Sequence, residues 1–365
     1  EIRPRDWSSD VCSSDLGGRV RDEFLGKESK DLDILITNIG FEKLEQILSK
    51  YGKVDLVGKS FGIIKFKPTG SEEEIDIAIP RTERKTAPGY KGFVFHADAT
   101  VTLEQDLARR DLTINAMAQE IDVNGQLCGP IIDPYGGQKD LERKVLRHIG
   151  PAFIEDPLRV LRVARFSARF PDFSIAPESL ELLKKISVSG ELKALVKERV
   201  WQEFVKGLNG KQPSKMFDVL FACGADREIF HDVIDVHYSK KYFDYVDMAA
   251  CNNMSLAQRY AALFHGLSSD MIKSISHQLS ATVECKDYAV LTHELLDGFI
   301  HYEASPSAEN LLTILDRVDV WRKPERFIEL LAVVKMAGHK TAHLQQAYEV
   351  AKSVDVAKIA QSIQV

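Results

Sequence analysis

Between residue 17 and about residue 134, apolar and polar positions alternate in short runs, and the period changes from run to run. Residues 32–37 (Leu-Asp-Ile-Leu-Ile-Thr) alternate as a strand does, residues 41–51 place apolar side chains at helical spacing, residues 54–66 hold one or two strands, and residues 75–79 another. After about residue 138 the two-residue period nearly vanishes. Helical spacing takes over at 157–170, 177–186, 200–208, 214–222, 256–267 and 308–336. The pattern predicts an α+β chain, with a mixed head followed by an all-α second half. The first sixteen residues do not fit it. Residues 7–16 are rich in Ser and Asp where an apolar strand should feed the Gly17-Gly18 turn, so residues 1–16 are expected to be a non-native start and are set aside from the fold.

At 365 residues the chain is long enough for two to three domains, and 44% hydrophobic with 28% charged residues suits a packed protein. No apolar run approaches the roughly 18–20 residues needed to cross a bilayer, so a cytoplasmic protein is expected. The five cysteines (Cys12, Cys128, Cys223, Cys251, Cys285) lie far apart, without the spacing of a zinc site or disulfide framework. A net charge of −6 offers no global attraction to nucleic acid, so any polyanion contact must come from a local basic surface.

Candidate chemistry begins at Gly17-Gly18-Arg19-Val20-Arg21-Asp22 and continues at Asp31-Leu32-Asp33. Adjacent glycines let backbone amides approach a phosphate, and Arg21 adds a cationic fork; a glycine pair alone is equally the mark of a plain turn. In a strand, Asp31 and Asp33 project to one face, where they repel unless a divalent cation lies between them. Mg²⁺ bridging a triphosphate is the natural occupant, and a solvated acidic edge is the alternative. Asp76 could join this pair from an adjacent strand. In the segment from Arg109 to Ala118, a helix would make Asp111 and Asn115 neighbours at i and i+4 beside Arg110: a cation for phosphate and two groups for ribose hydroxyls, or simply a capped helix start.

These motifs, with Asp133-Pro134-Tyr135-Gly136-Gly137 and Glu155-Asp156-Pro157-Leu158-Arg159-Val160-Leu161-Arg162-Val163-Ala164-Arg165-Phe166, occur in the order found in class II bacterial tRNA nucleotidyltransferases, the CCA-adding enzymes. The resemblance covers residues 17–225 most strongly and reaches Asp319-Val320-Trp321-Arg322-Lys323-Pro324. It implies a polymerase-beta-like nucleotidyltransferase head (17–137), a helical neck (138–225), and a helical body and tail (226–365). The implied activity is untemplated addition of C and A to tRNA 3′ ends from CTP and ATP.

Arg159, Arg162, Arg165 and Arg169 recur at helical spacing, and residues 138–169 hold eight Lys/Arg against four Asp/Glu. A basic stripe on an otherwise apolar helix is expected, with Asp156 as N-cap ahead of Pro157. By resemblance, Glu155, Asp156 and Arg159 form an amino-acid template for the base edge, while Arg162 and Arg165 contact the incoming nucleotide. Asp31, Asp33 and Asp76 would be catalytic, and Gly18, Arg21, Arg110, Asp111 and Asn115 nucleotide-binding.

Poly(A) polymerases share this head but usually carry an apolar-Gly-basic-basic-Phe signature, and Val57-Gly58-Lys59-Ser60-Phe61 has one basic residue there. CC-adding relatives lack a flexible loop that residues 81–93 supply here. Many relatives also carry a phosphohydrolase domain built on a His-Asp pair; here Gly266 follows His265, so a degenerate domain and a packed histidine are expected. A CC-adding enzyme, a poly(A) polymerase and a non-catalytic tRNA-binding protein remain the alternatives.

Overall fold

The computed structural model describes residues 13–27, 33–56, 62–86, 92–122, 125–231, 233–234, 238 and 240–354. They form two compact units: 1–163 with 172–196 and 222–225, and 164–171 with 197–221 and 226–365. The stretch expected as a neck, 138–225, is shared between them.

The first unit opens with β1 (Ser13–Leu16), α1 (Gly18–Phe24), β2 (Asp33–Ile36), α2 (Phe41–Leu48), β3 (Gly52–Leu56), β4 (Ile63–Pro68) and β5 (Ile75–Ala78). It continues through β6 (Arg81–Lys85), β7 (Phe93–Ala97), α3 (Leu103–Ala108), β8 (Ala118–Ile121), β9 (Leu127–Ile132), α4 (Gly137–Glu142) and β10 (Val145–Leu146). The helix α5 (Leu158–Arg169) carries the chain into the second unit, and β11 (Ser174–Ile175) and α6 (Pro177–Val188) belong to the first. Seven strands make one sheet in the order β3-β4-β5-β2-β1-β8-β9. Only β2 and β5 pair in parallel within it.

Alternation along these strands builds two cores. Ile36, Ile64 and Ile77 pack with Leu44, Ile47 and Leu48 of α2, whose apolar residues recur at helical spacing. Leu16 and Leu35 pack with Leu107 of α3, Ala116 and Ala118.

Three expectations need correction. Ser13–Leu16, set aside as foreign to the fold, form β1 at the middle of the sheet, pairing Ser14 with both Leu35 and Glu120. Neighbours on both sides satisfy their backbone groups, which outweighs poor strand propensity. Of residues 81–93, expected as a flexible loop, 81–85 form β6 and pair antiparallel with β7, Arg81 opposite Ala97 and Lys85 opposite Phe93; 87–91 lie outside the described residues. The long helical stretch 308–336 breaks into two helices around Asp319, whose φ of 56° ends the first.

The second unit holds α7 (Lys197–Leu208), α8 (Ser214–Cys223, whose last two residues group with the first unit), α9 (Asp226–Phe230), α10 (Lys240–Cys251) and α11 (Leu256–Phe264). It ends with α12 (Ser269–Gln278), α13 (Val283–Ala304), α14 (Ala308–Arg317), α15 (Pro324–Met336) and α16 (Ala342–Lys352). Phe204 packs against Phe217, Phe230 and Phe264 with ring centroids 6.0–6.5 Å apart, an aromatic centre for these helices. No helix among the described residues is long and apolar enough to cross a membrane.

Candidate active site

Strand register brings two of the predicted carboxylates together. Asp33 on β2 lies opposite Asp76 on β5, and Asp76 lies opposite Lys65 on β4. Register partners on strands about 4.8 Å apart share a face, so both exposed carboxylates present to one side of the sheet. Lys65 Nζ, 2.7 Å from Glu74 and 3.6 Å from Asp76, supplies partial counter-charge. Two carboxylates so placed, with oxygen donors only, fit a hard divalent cation. Among the described residues no three acidic, His or Cys side chains gather as a metal site, and Asp31 lies outside them.

The two glycines serve different needs. Gly17 has φ +45°, donates its amide to Met117 O at 2.8 Å, and a Cβ there would meet Asn115 O at 2.4 Å, so the fold itself demands glycine. At Gly18, the first residue of α1, a Cβ would meet nothing within 4 Å. Packing does not require glycine there, which leaves room for a ligand to approach the backbone.

Arg21, expected to face phosphate, turns inward. Its Nε donates to Asp22 at 2.9 Å and its Nη1 to Asn115 Oδ1 at 2.5 Å. Asn115 Nδ2 donates to Asp111 Oδ1 at 3.0 Å, and Arg162 Nε donates to Asp111 Oδ2 at 2.8 Å. Asp22, Arg21, Asn115, Asp111 and Arg162 thus form one chain of charge-assisted bonds. The predicted juxtaposition of Asp111 and Asn115 is present, but on a 3-10 turn (Thr113–Asn115) rather than an α-helix. Burial alone would raise the Asp111 carboxyl, yet Arg162, the Asn115 amide and the Leu112 N–H outweigh it and hold Asp111 well below the usual carboxylate range.

Sequence reasoning missed Asp106. This fully buried carboxylate accepts Arg109 Nη2 at 2.7 Å, Arg110 Nη2 at 3.4 Å and the Arg81 amide at 3.1 Å. Its spacing to Arg109 and Arg110, i+3 and i+4, was the available signal. Burial depresses the Arg110 guanidinium, and its Nε is buried without a hydrogen-bond partner among the described residues. A half-buried cation with an unused donor is suited to meet an anion.

The start of α5 follows the capping expectation: Asp156 Oδ1 accepts the Leu158 amide at 3.0 Å. Glu155 accepts the Lys85 amide at 3.4 Å. Most members of the basic stripe expected on α5 are held by internal partners. Arg159, 8% exposed, donates to the carbonyls of Arg109 at 2.5 Å and Ala152 at 3.0 Å. In the second unit, Arg165 pairs with the buried Glu203 at 3.1 Å and lies over the Phe166 ring. Only Arg169 among the four is an exposed residue. Asp133 accepts the amides of Gly137 and Gln138 at 2.7 and 2.9 Å, so the Asp-Pro-Tyr-Gly-Gly motif caps α4.

His265 is packed as expected, 5% exposed between Tyr242 and Tyr245, and burial pushes its imidazole down to about 4. A Cβ at Gly266 would lie 1.9 Å from the Tyr242 ring. Gly266→Ala is therefore expected to destabilise the protein by about 1–3 kcal/mol through overpacking. Thermal unfolding checks this, and an unchanged melting temperature would contradict the packing.

A parallel strand pair bearing carboxylates, a glycine turn open to a ligand and a buried cationic cluster define a nucleotidyltransferase head. Residues 16–147 match the family model "Poly A polymerase head domain", and 172–235 match "Probable RNA and SrmB- binding site of polymerase A". The chain is 40% identical to the Multifunctional CCA protein of Paraburkholderia phymatum (95% of this chain, 91% of that one) and 42% identical to the CCA-adding enzyme of Pseudomonas putida (95% and 92%). The solved structure of Bacillus stearothermophilus CCA-adding enzyme in complex with CTP superposes with a TM-score of 0.65 at 22% identity, covering 93% of this chain and 79% of that one. The chain belongs to the CCA-adding enzyme family of tRNA nucleotidyltransferases.

Proposed function

We propose that this protein adds C, C and A to the 3′ ends of tRNA in the cytoplasm, taking CTP and ATP without a nucleic-acid template and releasing pyrophosphate. The register that sets Asp33 beside Asp76 carries this reading. With Asp31 as the third carboxylate of the sequence motif, these residues would hold Mg²⁺. When bound, the ion neutralises triphosphate charge and stabilises the attacking and leaving oxygens of an in-line displacement. The backbone at Gly18 accommodates the triphosphate, and Arg110, with an unused donor, adds positive charge.

Base choice is assigned to Glu155, Asp156 and Arg159, with Arg162 and Arg165 supporting the nucleotide. In the described state Arg159 is pinned to the Arg109 carbonyl and stacked over Phe153 at 5.5 Å, so its guanidinium is held in one orientation. The domain assignment that goes with this reading is head 17–137, neck 138–225, and body and tail 226–365.

Two experiments test the proposal. Protein stripped with EDTA should lose extension of a tRNA lacking its 3′ end and regain it with Mg²⁺; undiminished extension after stripping would contradict the metal. Arg159→Ala should blur discrimination between CTP and ATP by about tenfold, the size of one or two lost hydrogen bonds, while single-turnover addition of the correct nucleotide slows less. Unchanged fidelity would remove Arg159 from the template.

A further inference from the structure

The carbonyl that holds Arg159 belongs to Arg109, the residue that ends α3. The last carbonyls of a helix have no partner within it and carry its negative end, so a guanidinium suits them. Whatever fixes this carbonyl therefore also fixes the Arg159 guanidinium. The Arg109 side chain is held by three groups. Its Nε donates to Asp106 Oδ1 and to the Arg81 carbonyl, each at 3.1 Å, its Nη2 to Asp106 Oδ1 at 2.7 Å, and its Nη1 to Glu83 at 2.6 Å.

Asp106 is the centre of this arrangement. It stands one turn before Arg109 and accepts from Arg109, Arg110 and the Arg81 amide. Its helix is pinned at the other end by a capping box in which Thr102 and Gln105 exchange side-chain bonds. Burial alone would raise the Asp106 carboxyl, yet Arg109 and Arg110 outweigh it and keep the group below the ordinary carboxylate value. At 0% exposure the carboxylate cannot touch a nucleotide, so any effect on the reaction passes through its arginines. A buried ion pair is a weak source of stability compared with apolar packing of the same volume, whereas it can fix orientation tightly.

We propose that Asp106 is a specificity-positioning residue: by locking Arg109 at the end of α3 it sets the carbonyl against which Arg159 is oriented, and with it the choice between cytosine and adenine. The proposal rests on the reading of Arg159 as part of the base-selecting template. The route runs from the Asp106 carboxylate through the Arg109 side chain and carbonyl to the Arg159 guanidinium, all within the first unit. The same carboxylate anchors Arg110, whose charge serves the triphosphate of either nucleotide. Asp106 thus acts on nucleotide affinity and on base choice, and the ratio of CTP to ATP use isolates the second.

The test is Asp106→Asn, which keeps the shape and an acceptor for the Arg81 amide but removes the charge. Initial rates of CTP and ATP addition to a tRNA ending at its discriminator base are measured for wild type, Asp106→Asn, Arg159→Ala and the double variant. The CTP/ATP ratio of kcat/KM should fall about fivefold in Asp106→Asn, less than in Arg159→Ala because the selecting group is loosened rather than deleted. The double variant should discriminate no worse than Arg159→Ala alone. KM should rise by about threefold for both nucleotides alike as Arg110 loses its anchor. A residue that only supports the fold would lower the rates with both nucleotides and leave their ratio unchanged, and that result would overturn the proposal. A further loss of discrimination in the double variant would also overturn it, because the effect would then bypass Arg159. If Asp106→Asn fails to fold, Glu83→Gln carries the test: this half-buried residue grips the same guanidinium, and its loss should lower the ratio about twofold, an unchanged ratio refuting the route. If the wild type extends no tRNA, the enzymatic reading fails separately, and equilibrium dialysis of CTP and ATP decides the positioning role. A preference for CTP that Asp106→Asn weakens then upholds it, and an unchanged or absent preference overturns it.

Discussion

Replacing Asp33 with alanine is expected to lower nucleotide addition by about 10³-fold or more, while tRNA affinity changes less than threefold. A carboxylate that helps position a divalent ion contributes several kcal/mol to stabilisation of the transition state, and each 1.4 kcal/mol is a factor of ten. Asp33 is the exposed first residue of β2, opposite Asp76, so its removal creates no cavity and the protein should melt near the wild-type temperature. Affinity survives because interactions with RNA phosphates elsewhere dominate binding. Asp76→Ala should show the same pattern. Single-turnover extension with saturating enzyme separates the two effects: comparable losses of rate and affinity would place Asp33 in RNA binding instead.

Arg162→Ala should cost both stability and activity, with a pH signature. Asp111 is 4% exposed, and Arg162 binds its Oδ2 through Nε at 2.8 Å and Nη2 at 2.6 Å. Removing that partner strands a buried carboxylate, worth about 3 kcal/mol, or roughly 6–12 °C in melting temperature for a unit of this size. In the wild type the Asp111 carboxyl is held below its unfolded-state value, so its contribution is complete above about pH 4 and is lost as pH falls through the depressed folded value. In the variant Arg162 no longer lowers the carboxyl, which rises relative to wild type, so the destabilisation is relieved as the group protonates. The gap between the two proteins should therefore be widest near neutrality and close in acid. A gap independent of pH would mean that the Asp111–Arg162 bond does not carry the effect.

Much of the head was legible because its chemistry follows strand alternation. Asp33 alternates with Ile34 and Ile36, and Asp76 with Ile75 and Ile77, which pack in one core, so the alternation places both carboxylates on the opposite face. Their pairing depends on β2 and β5 being parallel neighbours, which local pattern cannot specify. β1 was illegible for a physical reason: Ser13, Ser14 and Asp15 have little intrinsic strand preference, and β2 and β8 hold them by backbone bonds from both sides. The arginines of α5 displayed their helical period but not their direction. Arg159 reaches the carbonyl of Arg109, and no side-chain pattern marks a backbone acceptor fifty residues away. Arg21 and Asn115 were read as separate motifs, whereas burial joins them into one network with Asp22, Asp111 and Arg162. The Gly17-Gly18 pair combined two meanings that only a built Cβ separates, since one glycine answers to Asn115 and the other to open space. Residues 57–61, whose single lysine favoured the CCA-adding reading over a poly(A) polymerase, lie outside the described residues, so that distinction rests on sequence.

The most direct measurement supplies purified protein with Mg²⁺, a tRNA ending at its discriminator base, and CTP, ATP or both, and resolves products at single-nucleotide length. The account predicts two added residues with CTP alone and termination at three with both nucleotides. Arrest at two with both nucleotides would indicate a CC-adding enzyme, long A tails a poly(A) polymerase, and tRNA binding without extension a protein that has kept the head and lost its chemistry; each would contradict it.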